Sequence, residues 1–185
     1  MTAIRILIVV ALQTAALAYM IVDRQAMLNG SRVVTLKVGP IDPRDPFRGD
    51  YVILRYSIST LDLNQLEGDD TVQTGDTIFV TLKAKDKEWV AVAMTHKQPP
   101  DSADAVAVRG TVSSVDSAIT NHAPDNVRVD YGIESYFVPE GTGQAIEQER
   151  QKGDLSADIA VDAQGRTAIK ALRRNGEVFY TEGIL

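Results

Sequence analysis

Two periodicities divide this chain. Residues 4–22 form an almost unbroken apolar run whose only polar members are Arg5, Gln13, Thr14 and Tyr19. A helix of that length rises about 28 Å at 1.5 Å per residue, close to the hydrocarbon thickness of a bilayer. From Arg32 onward the apolar positions recur every second residue instead, as half-buried strands require. Val34, Leu36 and Val38 share one face of a strand over 32–38, and Val52, Leu54, Tyr56 and Ile58 share one face of the next. Ile78, Val80 and Leu82 alternate within 77–84, and 88–96 follows across Lys85-Asp86-Lys87, a separation that suits a hairpin. Further strands are predicted over 106–115, 127–138, 155–161, 167–172 and 178–181, the last two joined through Arg174-Asn175-Gly176. Helix is scarce outside the apolar run: a turn or two over 61–67, and a short helix over 143–152 whose glycines make its start costly. The expected fold is mainly β, an antiparallel sandwich or barrel-like domain with one N-terminal transmembrane helix. Its parts are the helix (1–23), a polar connector (24–31) ending in Asn29-Gly30-Ser31, and a β-rich domain (32–185). Pro99 and Pro100 mark 97–104 as the place for an internal sub-boundary.

The apolar run has three readings. Ala16-Leu17-Ala18 fits a signal-peptide cleavage pattern, but Tyr19-Met20-Ile21-Val22 carries the run past it, where a signal peptide turns polar. A buried core helix would show a polar face at helical spacing. An uncleaved signal-anchor fits best, with Arg5 able to snorkel at one end and Tyr19 placed near the other interface. Arg5 and the free amine precede the helix while Asp23 and Arg24 nearly cancel after it, so the charge rule leans toward a cytoplasmic amino terminus.

Charge narrows the partners. The formal net charge is -6 and no cluster of Lys and Arg appears, which argues against a nucleic-acid partner. With no cysteine, the chain has no disulfide framework, thiolate metal site or cysteine nucleophile. His96 and His122 stand in no metal-ligand spacing, and no Gly-rich phosphate loop is present. No cofactor and no catalytic set is predicted.

Two segments carry candidate chemistry. In the first, Pro43 and Pro46 fix their own φ and bias Asp42 and Asp45 toward extended backbone, presetting a loop that also holds Arg44, Arg48 and Asp50. Gly49 permits a tight entry into the following strand, where alternation places Leu54 and Tyr56 on one face and Tyr51 on the other. Such a loop is either a salt-linked turn with Tyr56 in the core, or a rigid recognition surface whose arginine forks grip a carboxylate or phosphate. Its aspartates lack the spacing of a calcium loop. The second segment, 131–143, sets Glu134, Tyr136 and Glu140 around an aromatic strand. Its carboxylates could act as a general acid and base if held at the right separation; otherwise they are solvated or salt-bridged. The candidate binding residues are Arg44, Asp45, Arg48, Gly49, Asp50, Tyr51, Leu54, Tyr56, Glu134, Tyr136 and Glu140.

Gly49-Asp50-Tyr51, followed by Leu54 and Tyr56, resembles the namesake motif of the GDYXXLXY protein family, and 131–143 is similar to a second segment of that family. The resemblance implies a bacterial protein held by a single pass in the cytoplasmic membrane. Its C-terminal domain would lie outside the cytoplasm, working with multi-span membrane proteins. It implies no reaction. A fainter likeness of Gly49 to Leu54 to signal peptidases fails, because no serine lies between Arg32 and Tyr56 to act as nucleophile. The reading is a noncatalytic accessory or interaction domain, with a carboxylate-based hydrolase or a binder of a small anionic or glycan ligand as the alternatives.

Overall fold

Helix α1 runs unbroken from Thr2 to Gly30, about 43 Å along its axis. The computed structural model describes residues 2–30, 32–39, 51–69, 71–100, 102–116, 126–137 and 155–181. Side chains 3–22 of α1 are all exposed, and the helix is long and apolar enough to cross a membrane. The connector expected over 24–31 is helical as far as Gly30. Gln25, Ala26, Met27 and Leu28 are fair to good helix formers, and tertiary contacts hold this last part: Met27 is buried, and Asp23 pairs with Arg166.

The rest of the described residues lie mostly in strands. They are β1 (Arg32–Gly39), β2 (Tyr51–Ile53), β3 (Arg55–Tyr56), β4 (Thr60–Asp62), β5 (Glu67–Gly68), β6 (Thr77–Lys85) and β7 (Glu88–Thr95). Beyond these come β8 (Ala105–Asp116), β9 (Asn126–Asp130), β10 (Ser135–Phe137), β11 (Leu155–Val161), β12 (Thr167–Arg174) and β13 (Glu177–Thr181). One sheet has the order β13-β12-β11-β1-β3, another β4-β9-β8-β6-β7-β5, and β10 pairs with β2. Among the described residues, pairing is antiparallel except between β5 and β7. The curled sheets form a half-barrel, so the fold is mainly β, as the alternation predicts. Asn175 and Gly176, at φ 50° and 86°, make the tight turn before β13 that their sequence announces.

Two predicted strands are interrupted. The strand expected over 52–58 breaks at Leu54, because β2 pairs with β10 while β3 pairs with β1. Burial still alternates from Ile53 to Ile58, so the inward face survives the change of partner. The strand expected over 127–138 breaks at Tyr131–Glu134, where Gly132 takes φ 79°. The helix expected over 61–67 shrinks to one 3₁₀ turn, Leu63–Gln65, capped by the Asp62 carboxylate accepting from the Asn64 amide. The helix expected over 143–152 lies outside the described residues.

Both sheets feed one core. Leu36 of β1, Val80 and Leu82 of β6, Val108 of β8, Ile159 of β11 and Leu172 of β12 are fully buried in a single cluster. The β8 edge that β9 leaves free meets the β11–β12 turn, where the Arg109 amide donates to the Gly165 carbonyl at 2.8 Å. A Cβ on Gly165 would lie 3.0 Å from the Arg109 nitrogen, and its φ is 77°. Gly176 has the same backbone demand at φ 86° but open space around it. Gly176→Ala is therefore expected to cost about 1–2 kcal/mol, the left-handed backbone alone. Gly165→Ala should cost about 3 kcal/mol, since strain and a clash at the seam combine. Urea unfolding of the two variants checks the difference, and equal losses would show that the seam is not tightly packed.

Candidate functional site

The two segments singled out in the sequence meet. β2 and β10 pair in the register Tyr51↔Phe137, Val52↔Tyr136 and Ile53↔Ser135. Where that ladder stops, the Leu54 amide donates to the Glu134 carbonyl at 2.7 Å. The tyrosines then cross over: the Tyr56 hydroxyl donates to the Ile133 carbonyl at 2.8 Å, and the Tyr131 hydroxyl donates to the Ile58 carbonyl at 2.8 Å. Each segment thus satisfies a buried carbonyl of the other, as buried polar groups require. Leu54, Tyr56, Tyr131 and Tyr136 are all buried. The Tyr136 ring meets Tyr180 of β13 edge-on, with centroids 5.5 Å apart, an arrangement worth about 0.5–1.5 kcal/mol beyond area burial.

Glu134 ties its own loop. Its carboxylate accepts from the Tyr131 amide and, at 2.9 Å, from the Gly132 amide, which holds the turn that interrupts the strand. It is half-buried, and each of its two oxygens accepts from a backbone amide. Burial, followed by the nearby Glu134 charge, pushes the Tyr56 and Tyr131 hydroxyls well above the ordinary tyrosine range. The unit therefore offers neutral phenols locked onto carbonyls and one carboxylate locked onto amides. Of the other candidates, Tyr51 contributes its backbone position opposite Phe137, while Arg44, Asp45, Arg48, Gly49, Asp50 and Glu140 lie outside the described residues.

Ionic clusters among the described residues escaped the sequence reading. Arg166 grips Asp23 of α1 with both terminal nitrogens, at 3.0 and 3.1 Å, and Asp162 with Nε at 2.6 Å. These two partners, Asp23 foremost, raise the Arg166 pKa. Asp162 Oδ1 also accepts from the Gln164 and Arg166 amides, so the turn is built around one carboxylate. Only this local part carries a short-range sequence signal, since Asp23 lies 143 residues from Arg166. The second cluster is His96, with Nδ1 2.9 Å from Asp69 and Nε2 3.5 Å from Asp76. The hydrogen bond with Asp69 raises the imidazole's pKa, and the His96 backbone amide followed by its ring lowers that of Asp69. Among the described residues, no group of three His, Cys, Asp or Glu side chains is placed to hold a metal ion.

Fold and site together define a β half-barrel carried on an apolar N-terminal helix, with its two aromatic segments locked to one another. A model of the GDYXXLXY protein family matches residues 13–172, and the chain belongs to that family. No curated protein and no solved structure matches it.

Tyr56→Phe and Tyr131→Phe should each cost about 1–3 kcal/mol at neutral pH, because each strands a buried carbonyl. Raised folded-state values mean that the unfolded chain releases these protons first, near pH 10, so stability falls as pH rises beyond that point. The double variant should lose stability more gradually than the parent between neutral and alkaline pH, as read by urea unfolding across that range. An unchanged alkaline slope would place both hydroxyls in water.

Proposed function

We propose that the chain is a membrane-anchored, noncatalytic accessory domain that faces the periplasm or cell exterior and engages multi-span membrane proteins. The observation that carries this reading is the joint at the foot of α1. The helix that is apolar enough to cross a membrane continues into the β body, and Arg166 clamps it there through Asp23. Gln13 and Thr14, near the midpoint of the exposed apolar run, supply polar groups that an interhelical hydrogen bond would use. The commitment of Glu134 to backbone amides favours an interaction role over carboxylate catalysis.

The partner-facing loop on this reading is the one holding Arg44, Asp45, Arg48, Gly49 and Asp50. Asp50 directly precedes Tyr51, whose ladder partner Phe137 lies three residues before Glu140. That shared attachment also supports a second reading, in which Arg48, Asp50 and Glu140 take a small anionic or glycan ligand.

Arg48→Ala or Asp50→Ala should impair capture of the partner from native membranes while lowering stability by less than about 1 kcal/mol, as for an exposed ion pair. Tyr56→Ala is the contrast, with about 3 kcal/mol or more lost from the core and a binding defect that follows unfolding. Normal capture by both loop variants would make the loop structural. Orientation has a separate check: because the chain lacks cysteine, Lys87→Cys on the exposed hairpin tip gives one thiol. A membrane-impermeant maleimide should label it in intact cells, whereas labelling only after lysis would reverse the topology.

A further inference from the structure

We propose that the cleft at the foot of α1 receives an acyl chain of a membrane phospholipid. The cleft has a volume of about 410 Å³ and is walled largely by Pro99, Pro100, Val106, Ala107, Val161 and Ala163. Its level relative to a bilayer follows from the joint. Asp162, on the cleft wall, lies 2.6 Å from Arg166 Nε, and the same guanidinium holds Asp23, the first charged residue after the apolar run. With 4–22 filling the hydrocarbon layer, Asp23 enters the headgroup region, and the cleft wall at Asp162 is tied to it through Arg166.

The polar groups around the cleft select against a polar occupant. Arg32 donates through Nη1 to the Ser102 and Ala105 carbonyls and through Nη2 to the Ala103 carbonyl, at 2.5–2.8 Å. Gln98 donates to the Ala163 carbonyl at 2.6 Å, and Asp162 is occupied by Arg166 and the turn amides. These bonds occupy the charged and amide side chains of the lining and leave chiefly the Thr81 and Ser102 hydroxyls with which to orient a sugar, nucleotide or peptide. An acyl chain asks for no hydrogen bond. Moving it from the bilayer into the cleft exchanges one apolar surrounding for another, and the net gain is the water released from the cleft wall.

The inference rests on α1 entering the membrane, so its test must report on both. Full-length protein is reconstituted in vesicles of phosphatidylcholine and phosphatidylglycerol. A fraction of the phosphatidylcholine carries a diazirine in one acyl chain, and the photolabelled peptides are mapped by mass spectrometry. Label in α1 and also within 98–107 and 161–163 is the expected result. Label in α1 alone overturns the cleft while leaving the anchor in place; no label in either overturns the anchor and the cleft with it. Ala163→Phe and Ala107→Phe add bulk to the cleft from the β11–β12 turn and from β8, and circular dichroism identifies which of them keep the parent fold. A folded variant should lose the cleft label and keep that of α1. Retention of the cleft label in a folded variant would mean that lipid touches the outer surface only, and the proposal fails.

Discussion

The turn from Asp162 to Arg166 is the constraint on which the remaining architecture depends. Asp162 holds it from within, accepting from the Gln164 and Arg166 amides, while the Gly165 amide donates to the Asp162 carbonyl. Its outward groups then reach four neighbours. The Gly165 carbonyl closes the free edge of β8, Arg166 takes the helix, the Ala163 carbonyl receives Gln98, and next to it Thr167 donates to the Tyr131 carbonyl. Each of the bonds between uncharged groups is worth about 1 kcal/mol net, which is small taken singly. Their effect is geometric: a displaced turn would open the β8 edge, release α1 and loosen the loop beside Tyr131 together.

A second lock stands at the far side of that loop, and here the family motif acquires a physical meaning. Leu54 and Tyr56 occur at the point where the chain leaves β10 as a partner and takes up β1. Such a change of partner leaves backbone groups without a ladder, and inside a core each would carry a desolvation penalty of about 1–3 kcal/mol. The Leu54 amide, the Ile133 carbonyl and the Ile58 carbonyl are therefore met by Glu134, Tyr56 and Tyr131 in turn. Phenylalanine would fill the same volume and leave the carbonyls unmet, which is why tyrosine suits these buried positions. The motif's second half thus explains itself by packing.

How far this was legible depended on the range of the signal. Alternation within 77–84 and 155–161 needs only neighbouring residues, and both strands formed as read, as did the Asn175-Gly176 turn. Positions decided by distant partners were not legible. Tyr56 could be assigned to a core, yet its acceptor is 77 residues away, and the break at Leu54 depends on Glu134. The helix overran its predicted end because Asp23 and Met27 find contacts on the body, whereas composition alone marked 24–31 as a polar connector. Glu134 read as a potential acid or base from its type, and only the positions of two backbone amides reveal it as a turn support.

The helical extension also decides how freely the body can move on the membrane-anchored reading. Eight flexible residues in place of 23–30 would let the domain wander over an r.m.s. distance of roughly 15 Å from its anchor. As helix, the same residues are fixed in length and direction, and Arg166 on Asp23 together with buried Met27 fixes rotation about the axis. The ion pair itself is partly exposed and screened by solvent, so its importance is not stability. A body held at one height and one rotation presents the same face to every neighbour in the plane of the membrane. That restriction raises the effective concentration of the face toward a lateral partner and removes it from partners further away. The selectivity of such a domain would then come as much from where α1 holds it as from the chemistry of any loop it carries.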